Sequence, residues 1–268
     1  MNKNFNTIQR KNENLYFLYV ERQADVGITD KLWHNHPFYE IIFFSEGESE
    51  HAIENRRYPT KGGDVLLVRP YRHHFEHTRL AARSASFYLG FFPEAISNGD
   101  LAEELFKKGE HLRVGCDSVF AELMNTLKNK FRTASENDFD FLKSMIEAAI
   151  FALCDSASPE RSELKIKSGV VGKIIEYVNV NLKNIQTITD ISESLFFSAS
   201  YVRDSFKREM GIGIMQYVRN KKVVRAHERI RNGEKPTEIF NECGFTTYSS
   251  FYRAHVAYFG FPPKTKKN

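Results

Sequence analysis

The hydrophobic positions of this chain change rhythm along its length. The first stretch carries short apolar runs separated by turn signals. FYEIIFF at 38–44 is aromatic and β-branched and is followed by the turn-like SEGES. KGGDVLLVRP at 61–70 reads as a turn, a four-residue apolar strand and a stopping proline, and SASFYLGFF at 84–92 as a further strand. Short strands at this spacing predict an all-β barrel or double-sheet jelly roll. After Pro93 the period becomes helical. Val119, Leu123, Leu127 and Phe131 recur every four residues, and Leu142, Met145, Ile146, Ala149, Ile150 and Leu153 form a second stripe. Two such helices can bury their stripes on each other and on a barrel, or pair with a second subunit. The polar, proline-containing DSASPERSELKIKS at 155–168 reads as a linker. From Gly169 onward the pattern is helical, beginning with a face made by Val170, Val171, Ile174, Ile175 and Val178.

The last hundred residues contain a repeat. ISESLFFSASYVRDSFKREMG (191–211) resembles IFNECGFTTYSSFYRAHVAYFG (239–260), with one extra residue in the second turn. Each copy reads as a short helix, a tight turn, an N-capping residue (Ser198 or Thr247), and a longer helix ending near Gly211 or Gly260. This is the layout of a helix-turn-helix, whose second helix enters the DNA major groove. The i, i+4 spacing of Val202 and Phe206 turns both inward. It leaves Ser200, Arg203, Asp204 and Lys207 outward, with Ala199 beside them. In the second copy Phe251 turns inward and Tyr248, Ser249, Tyr252 and Arg253 outward. Arginine can bond guanine bidentately, serine several base edges, and tyrosine a phosphate or a thymine methyl. Lys207, Arg208, Lys221, Lys222 and Arg225 are expected either to contact phosphate or simply to be solvated.

Charge sharpens this division. The chain has 268 residues, with 38 Lys+Arg against 34 Asp+Glu. Residues 1–167 hold 22 basic and 25 acidic residues (−3), and residues 168–268 hold 16 and 9 (+7). Seven of the nine histidines lie in the first part. A basic half beside a His-rich, near-neutral one suggests a polyanion-binding module joined to a sensing or chemical one. With 41% hydrophobic residues, wholesale disorder is excluded. No apolar run approaches the roughly 20 residues of a membrane helix, and the polar start MNKNFNTIQRKNEN has no signal-peptide core. Cys116, Cys154 and Cys243 are widely spaced, so a reducing cytoplasm is expected rather than a disulfide framework.

Residues 170–267 resemble the DNA-binding region of the AraC/XylS family of bacterial transcription activators. MQYVRNKKVVRAHERI (215–230) looks like the helix that joins the family's two helix-turn-helix units, with Tyr217, Lys222, Val223, Ala226 and Ile230 at patterned positions. Glu242, Cys243, Gly244, Phe245, Phe251, Arg253, Gly260 and Pro263 match the closing pattern. The departures are Ser192 and Phe240 where the family has alanine, His255 where it has a buried phenylalanine, and Lys266 and Lys267 in place of an aromatic–arginine pair. Apart from Ser192 they fall in the second unit, so the first is expected to carry more of the specificity. The resemblance implies a non-enzymatic regulator with double-stranded DNA as partner, RNA polymerase as a second partner for an activator, and a homodimer.

Trp33, His34, His36, Glu40 and Gly47 lie in a run that fits H-x-H-x3-E-x6-G and resembles the first motif of cupin barrels, with His74 where that fold's later histidine falls. Residues 34 to 44 of even number share one face of an extended chain, so His34, His36 and Glu40 should project together. The leading reading is an effector pocket formed by Trp33, His34, His36, Glu40 and His74, with Trp33 suited to stacking on a sugar ring. Alternatives are a self-satisfied polar cluster, or a site for Fe, Mn, Ni or Zn on His34, His36, Glu40 and His74. No resident cofactor is implied. His73-His74 with the H-x-H-x-x-Y-E run also resembles regulators of cellobiose or chitobiose utilisation. His51 and His77 read as surface histidines.

The expected architecture is therefore multidomain α and β. It comprises a cupin-like effector-sensing β-barrel at 1–100, a helical packing and dimerisation region at 101–155, a linker at 156–168, and an all-α double helix-turn-helix domain at 169–268. The expected function is control of a carbohydrate-utilisation operon, with activation through a small sugar-like effector. The rival from another class is a metal-dependent cupin enzyme fused to a DNA-binding domain.

Overall fold

The computed structural model describes residues 5–11, 14–22, 29–30, 34–54, 56–78, 83–92, 95–97, 99–133, 138–159, 164–165 and 169–264. Two compact units divide the chain, Met1–Leu164 and Lys165–Asn268. In chain order the first contains β1 (Phe5–Lys11), β2 (Leu15–Arg22), β3 (Thr29–Asp30), β4 (Tyr39–Glu46), β5 (Glu48–Ile53), β6 (Arg56–Lys61), β7 (Asp64–Val68), β8 (His74–Thr78) and β9 (Ser84–Phe91). There follow α1 (Gly99–Lys107), β10 (His111–Arg113), α2 (Val119–Thr133), α3 (Phe139–Ser156), β11 (Ser158–Pro159) and, at the boundary, β12 (Leu164–Lys165). The strands form two sheets, in the orders β1-β2-β9-β4-β7-β10-β11 and β12-β6-β5-β8-β3.

Strand β4 explains how the unit is layered. Its register sets Ile41 opposite Leu67 and Leu89, and Phe43 opposite Val65 and Phe87. These residues share one core with Phe120, Met124, Leu127 and Phe131 of α2 and Leu142, Ile146, Ala149, Ile150 and Leu153 of α3. The alternate residues Ile42 and Phe44 face the other way, into a second core with Leu66, Val68, Tyr88, Ile53 and Tyr58. Ile53 and Tyr58 come from the smaller sheet, so this core lies between the sheets. A wall buried on both faces reads as a continuous apolar run, which is why β4, β7 and β9 stand out in the sequence. Each fully buried side chain contributes about 1.5–3 kcal/mol. A one-residue slip of β4 would exchange its two faces and lose both sets of contacts.

Three expectations change. The extended run starts at Tyr39, with bends at 37 and 38, so His34 and His36 precede the strand. The stripes of α2 and α3 are buried within their own unit, but in α2 the buried row is Phe120, Met124, Leu127 and Phe131. Val119 is 65% exposed, because it opens the helix and lies one position off that row. Ser158–Pro159, within the expected linker, pairs with β10 at the edge of the larger sheet.

The second unit comprises α4 (Val170–Asn181), α5 (Ile188–Ser194), α6 (Ala199–Met210), α7 (Ile214–Arg231), α8 (Pro236–Ile239) and α9 (Tyr248–Phe259). Ser198 Oγ accepts from the Tyr201 amide and Thr247 Oγ1 from the Ser250 amide, each at 3.2 Å, so both recognition helices are capped by the expected residues. Both end in the left-handed region, at Gly211 and Gly260. Val202, Phe206 and Phe251 are fully buried.

Lys222, expected to face phosphate or water, is buried. Its place on α7 turns it inward, toward two chain segments whose carbonyls lie within its reach. Its ammonium donates to the carbonyl of Ile185, just before α5, at 2.5 Å and to that of Gly244, between α8 and α9, at 2.8 Å. Gly244 has φ +93°, and a Cβ there would lie 2.7 Å from the Lys183 carbonyl oxygen and 2.8 Å from Lys222 Cε. Glycine is therefore required for the approach. Replacing Lys222 by Met keeps the stem but removes both bonds, leaving the Gly244 carbonyl only the longer bond from the Gln186 side chain. Urea denaturation of the full chain should show Lys222→Met less stable by about 2–3 kcal/mol. A variant as stable as the parent would contradict the bridging role.

Candidate functional site

In the first unit the sequence-predicted histidines converge. His34 is tied to His74 by an isolated antiparallel bridge, with backbone bonds of 3.1 and 3.0 Å between them. The Tyr71 amide donates to the His36 carbonyl at 2.7 Å, so the 34–36 segment is strapped to the 71–74 segment at two points. His74 itself is registered against Ile53 of β5. His36 stacks on Phe38, with ring centroids 4.0 Å apart and planes 4° from parallel. Phe38 in turn lies where a side chain at residue 90 would be, since a Cβ on Gly90 would come within 2.6 Å of its ring. Gly90 thus makes room for the ring that supports His36.

At the centre is Glu40, buried on β4. Its Oε2 lies 3.2 Å from His36 Nε2 and 3.3 Å from His74 Nε2. Burial by itself would raise the Glu40 pKa. The charge and hydrogen bonding of His36, and then of His74, outweigh burial and hold the carboxyl well below its usual range. The side chain is therefore a carboxylate that accepts only. Glu40, His34 and His74 line a cavity of about 90 Å³ with Tyr16, Leu18, Ile42, His51 and Tyr88. His34 is exposed at its rim. His51, expected at the surface, is buried in this lining because β5 turns it toward the other sheet, beside Phe44. Tyr16 and Tyr88 are further members that pattern reading passed over, since strand aromatics read as core. Trp33 lies outside the described residues, as does the side chain of His77.

In the second unit α6 presents Ser200, Arg203, Asp204 and Lys207 to solvent, with Ala199 half-buried at its start. Helix α9 presents Ser249, Tyr252 and Arg253. Tyr248 differs from expectation and is only half-exposed. Its ring meets Phe240 at 5.9 Å and Phe251 at 5.8 Å. Phe240 is accommodated by packing against the Tyr248 ring. Among the five basic residues expected to meet phosphate or water, Lys207, Arg208 and Arg225 are exposed, Lys221 is half-buried beside Tyr217, and Lys222 is internal.

Two family models match the chain. The AraC-like ligand binding domain covers residues 19–128, and a Helix-turn-helix domain covers residues 191–268. This chain belongs to the AraC-type family of transcription regulators. It is similar to the uncharacterized HTH-type transcriptional regulator YfiF of Bacillus subtilis, 21% identical, with 98% of this chain and 86% of the relative aligned. It is also similar to the probable transcriptional regulator LumQ of Photobacterium leiognathi, 24% identical across 87% of this chain and 90% of that one. Among solved structures, ToxT from Vibrio cholerae is 14% identical, with a TM-score of 0.38 over 97% of this chain and 96% of that one. The two matched domains make the chain a DNA-binding transcription regulator with a ligand-binding domain.

His255, the polar departure from the AraC-type pattern, is fully buried and satisfied. It donates from Nδ1 to the Phe261 carbonyl at 3.0 Å, and its Nε2 lies 3.2 Å from His227 Nδ1. Burial lowers its pKa, so the folded state holds it neutral. The unfolded chain therefore binds the proton more readily, and stability is lost as pH falls below the free-histidine value of about 6.5. Denaturation at about pH 7.5 and about pH 5.5 should show His255→Phe losing less stability on acidification than the parent. An equal or larger loss in the variant would contradict this assignment.

Proposed function

We propose that the chain is a one-component activator of a carbohydrate-utilisation operon. In this reading a sugar or sugar derivative enters the cavity of the first unit, and His34, His36, Glu40 and His74 bind its hydroxyls. The convergence of His34, Glu40 and His74 on one cavity within the ligand-binding domain, with His36 3.2 Å from Glu40, supports the reading most directly. A cavity of about 90 Å³ suits one end of such a molecule, with the remainder reaching past exposed His34. The site works by binding rather than turnover. Its coupling to DNA affinity need only be about 1–3 kcal/mol to give a useful switch. The chain acts as a homodimer and contacts RNA polymerase when activating.

On DNA, the exposed faces of α6 and α9 read successive major-groove segments, with α6 carrying more of the specificity. Arg203 is the residue best placed for a bidentate guanine contact, being exposed at the second turn of a capped recognition helix. Arg203→Ala should weaken binding to the gene's own upstream DNA by about 1–3 kcal/mol and relax base preference at one position. Gel-shift competition with single-base variants measures both. Unchanged preference would remove α6 from the groove.

The effector claim has its own test. A reporter driven by the same upstream region is read with cellobiose, chitobiose and simple monosaccharides as probes. At least one should raise expression in the parent, and the His36→Ala/Glu40→Ala double variant should lose that rise while still shifting the DNA. A double variant that responds like the parent would refute the pocket, and no response to any sugar would refute the carbohydrate reading.

A further inference from the structure

The exposed stripe of α6 carries an acid. Ser200, Arg203, Asp204 and Lys207 are all exposed and, at about 100° per residue, span roughly 100° of the helix surface. Nothing within the fold accounts for the carboxylate among them. Asp204 is the sixth residue of α6, beyond the first turn where an acid would favour the helix dipole. It caps nothing, since Ser198 holds that place. Arg203 is its chain neighbour, and residues i and i+1 on a helix do not face one another. Lys207 and Arg208 follow three and four residues on, but among the described residues no ion pair to Asp204 forms. Residues 168–268 sum to +7, so this acid stands against the charge of its own unit, on a stripe that must approach phosphates.

The internal repeat sharpens the contrast. Val202 and Phe251 are the matching buried residues of α6 and α9, so Asp204 and Arg253, each two residues further on, correspond. Both are exposed. One place in the helix-turn-helix therefore holds a pure acceptor in the first unit and a pure donor in the second. The two recognition helices ask for opposite base edges at that place. The groove edges then select the base for Asp204. Guanine offers N7 and O6, both acceptors, and thymine offers O4 and a methyl group, so each repels a carboxylate. Adenine offers its N6 amino group but sets the N7 acceptor beside it. Cytosine offers its N4 amino group alone.

We propose that Asp204 is a specificity-determining residue, which accepts a hydrogen bond from a cytosine N4 amino group at one position of the DNA site and excludes guanine and thymine there. The inference rests on the reading of α6 as a groove-reading helix and adds the base that one of its residues requires. It also makes the two halves of the site different in sequence, since Arg253 cannot accept from cytosine.

The test selects bound sequences from a pool of duplexes with a randomised core, using the full chain as parent, Asp204→Ala and Asp204→Asn. Both substitutions fall at an exposed position, and circular dichroism checks folding. The parent should enrich a site with cytosine at one position that Asp204→Ala alters. Asp204→Ala should lose the preference there alone, with discrimination against guanine falling about five- to 150-fold. Asp204→Asn should move the preference from cytosine to adenine, because an amide bonds adenine N6 and N7 together. A parent preference for another base at the affected position overturns the proposal, as does a folded Asp204→Asn that keeps cytosine or a change spread over the whole site. If the parent enriches no sequence, the groove reading of α6 fails and the proposal with it. A site that the parent enriches and Asp204→Ala enriches identically removes only the role of Asp204.

Discussion

One buried ammonium organises the DNA-binding unit. Lys222 leaves the central helix α7 and reaches both the segment before α5 and the turn between α8 and α9, closing on the carbonyls of Ile185 and Gly244. Gln186 adds a bond from its side-chain amide to the same Gly244 carbonyl at 3.2 Å. The two helix-turn-helix units therefore share a fixed connection rather than only a covalent tether. A buried lysine costs desolvation, and here burial lowers its pKa. The cost is offset by the bonds to the two carbonyls, charge-assisted on the ammonium side.

The sensing unit rests on a different constraint. Its central strands are buried on both faces, so the side of β4 that does not meet the helices must supply the interior between the sheets. Glu40 falls on that interior side, at the end where the chain bends into the 34–38 segment. The backbone straps from His34 and His36 to the 71–74 segment then bring two imidazoles onto the carboxylate. The site is thus a consequence of strand alternation plus two loop contacts, with Gly90 leaving room for the Phe38 ring behind it.

The strands with both faces buried were legible because a continuous apolar run needs no partner to be recognised. So were the capped recognition helices, where Ser198, Thr247, Gly211 and Gly260 mark the ends by local chemistry. Strands β1, β2, β5, β6 and β8 were not, since their polar or aromatic residues become a pattern only once paired with neighbours. The same limit hid His51, Tyr16 and Tyr88. Each reads as surface or core in isolation, and only the facing sheet makes a cavity of them. Lys222 departs from expectation for a related reason: charge predicts exposure unless buried carbonyls lie within reach, and those come from segments 37 and 22 residues away. His255 was a departure from the family pattern whose cause lay in the Phe261 carbonyl and in His227 on α7.

In the proposed function two linked recognition helices read successive turns of one DNA face. Hydroxyl-radical footprinting of the full-length protein on its own upstream region tests that most directly. Two protected tracts on one face, about one helical turn apart, are predicted, with the stronger protection from the unit containing α6. A single tract, or none above that on unrelated DNA, would contradict it.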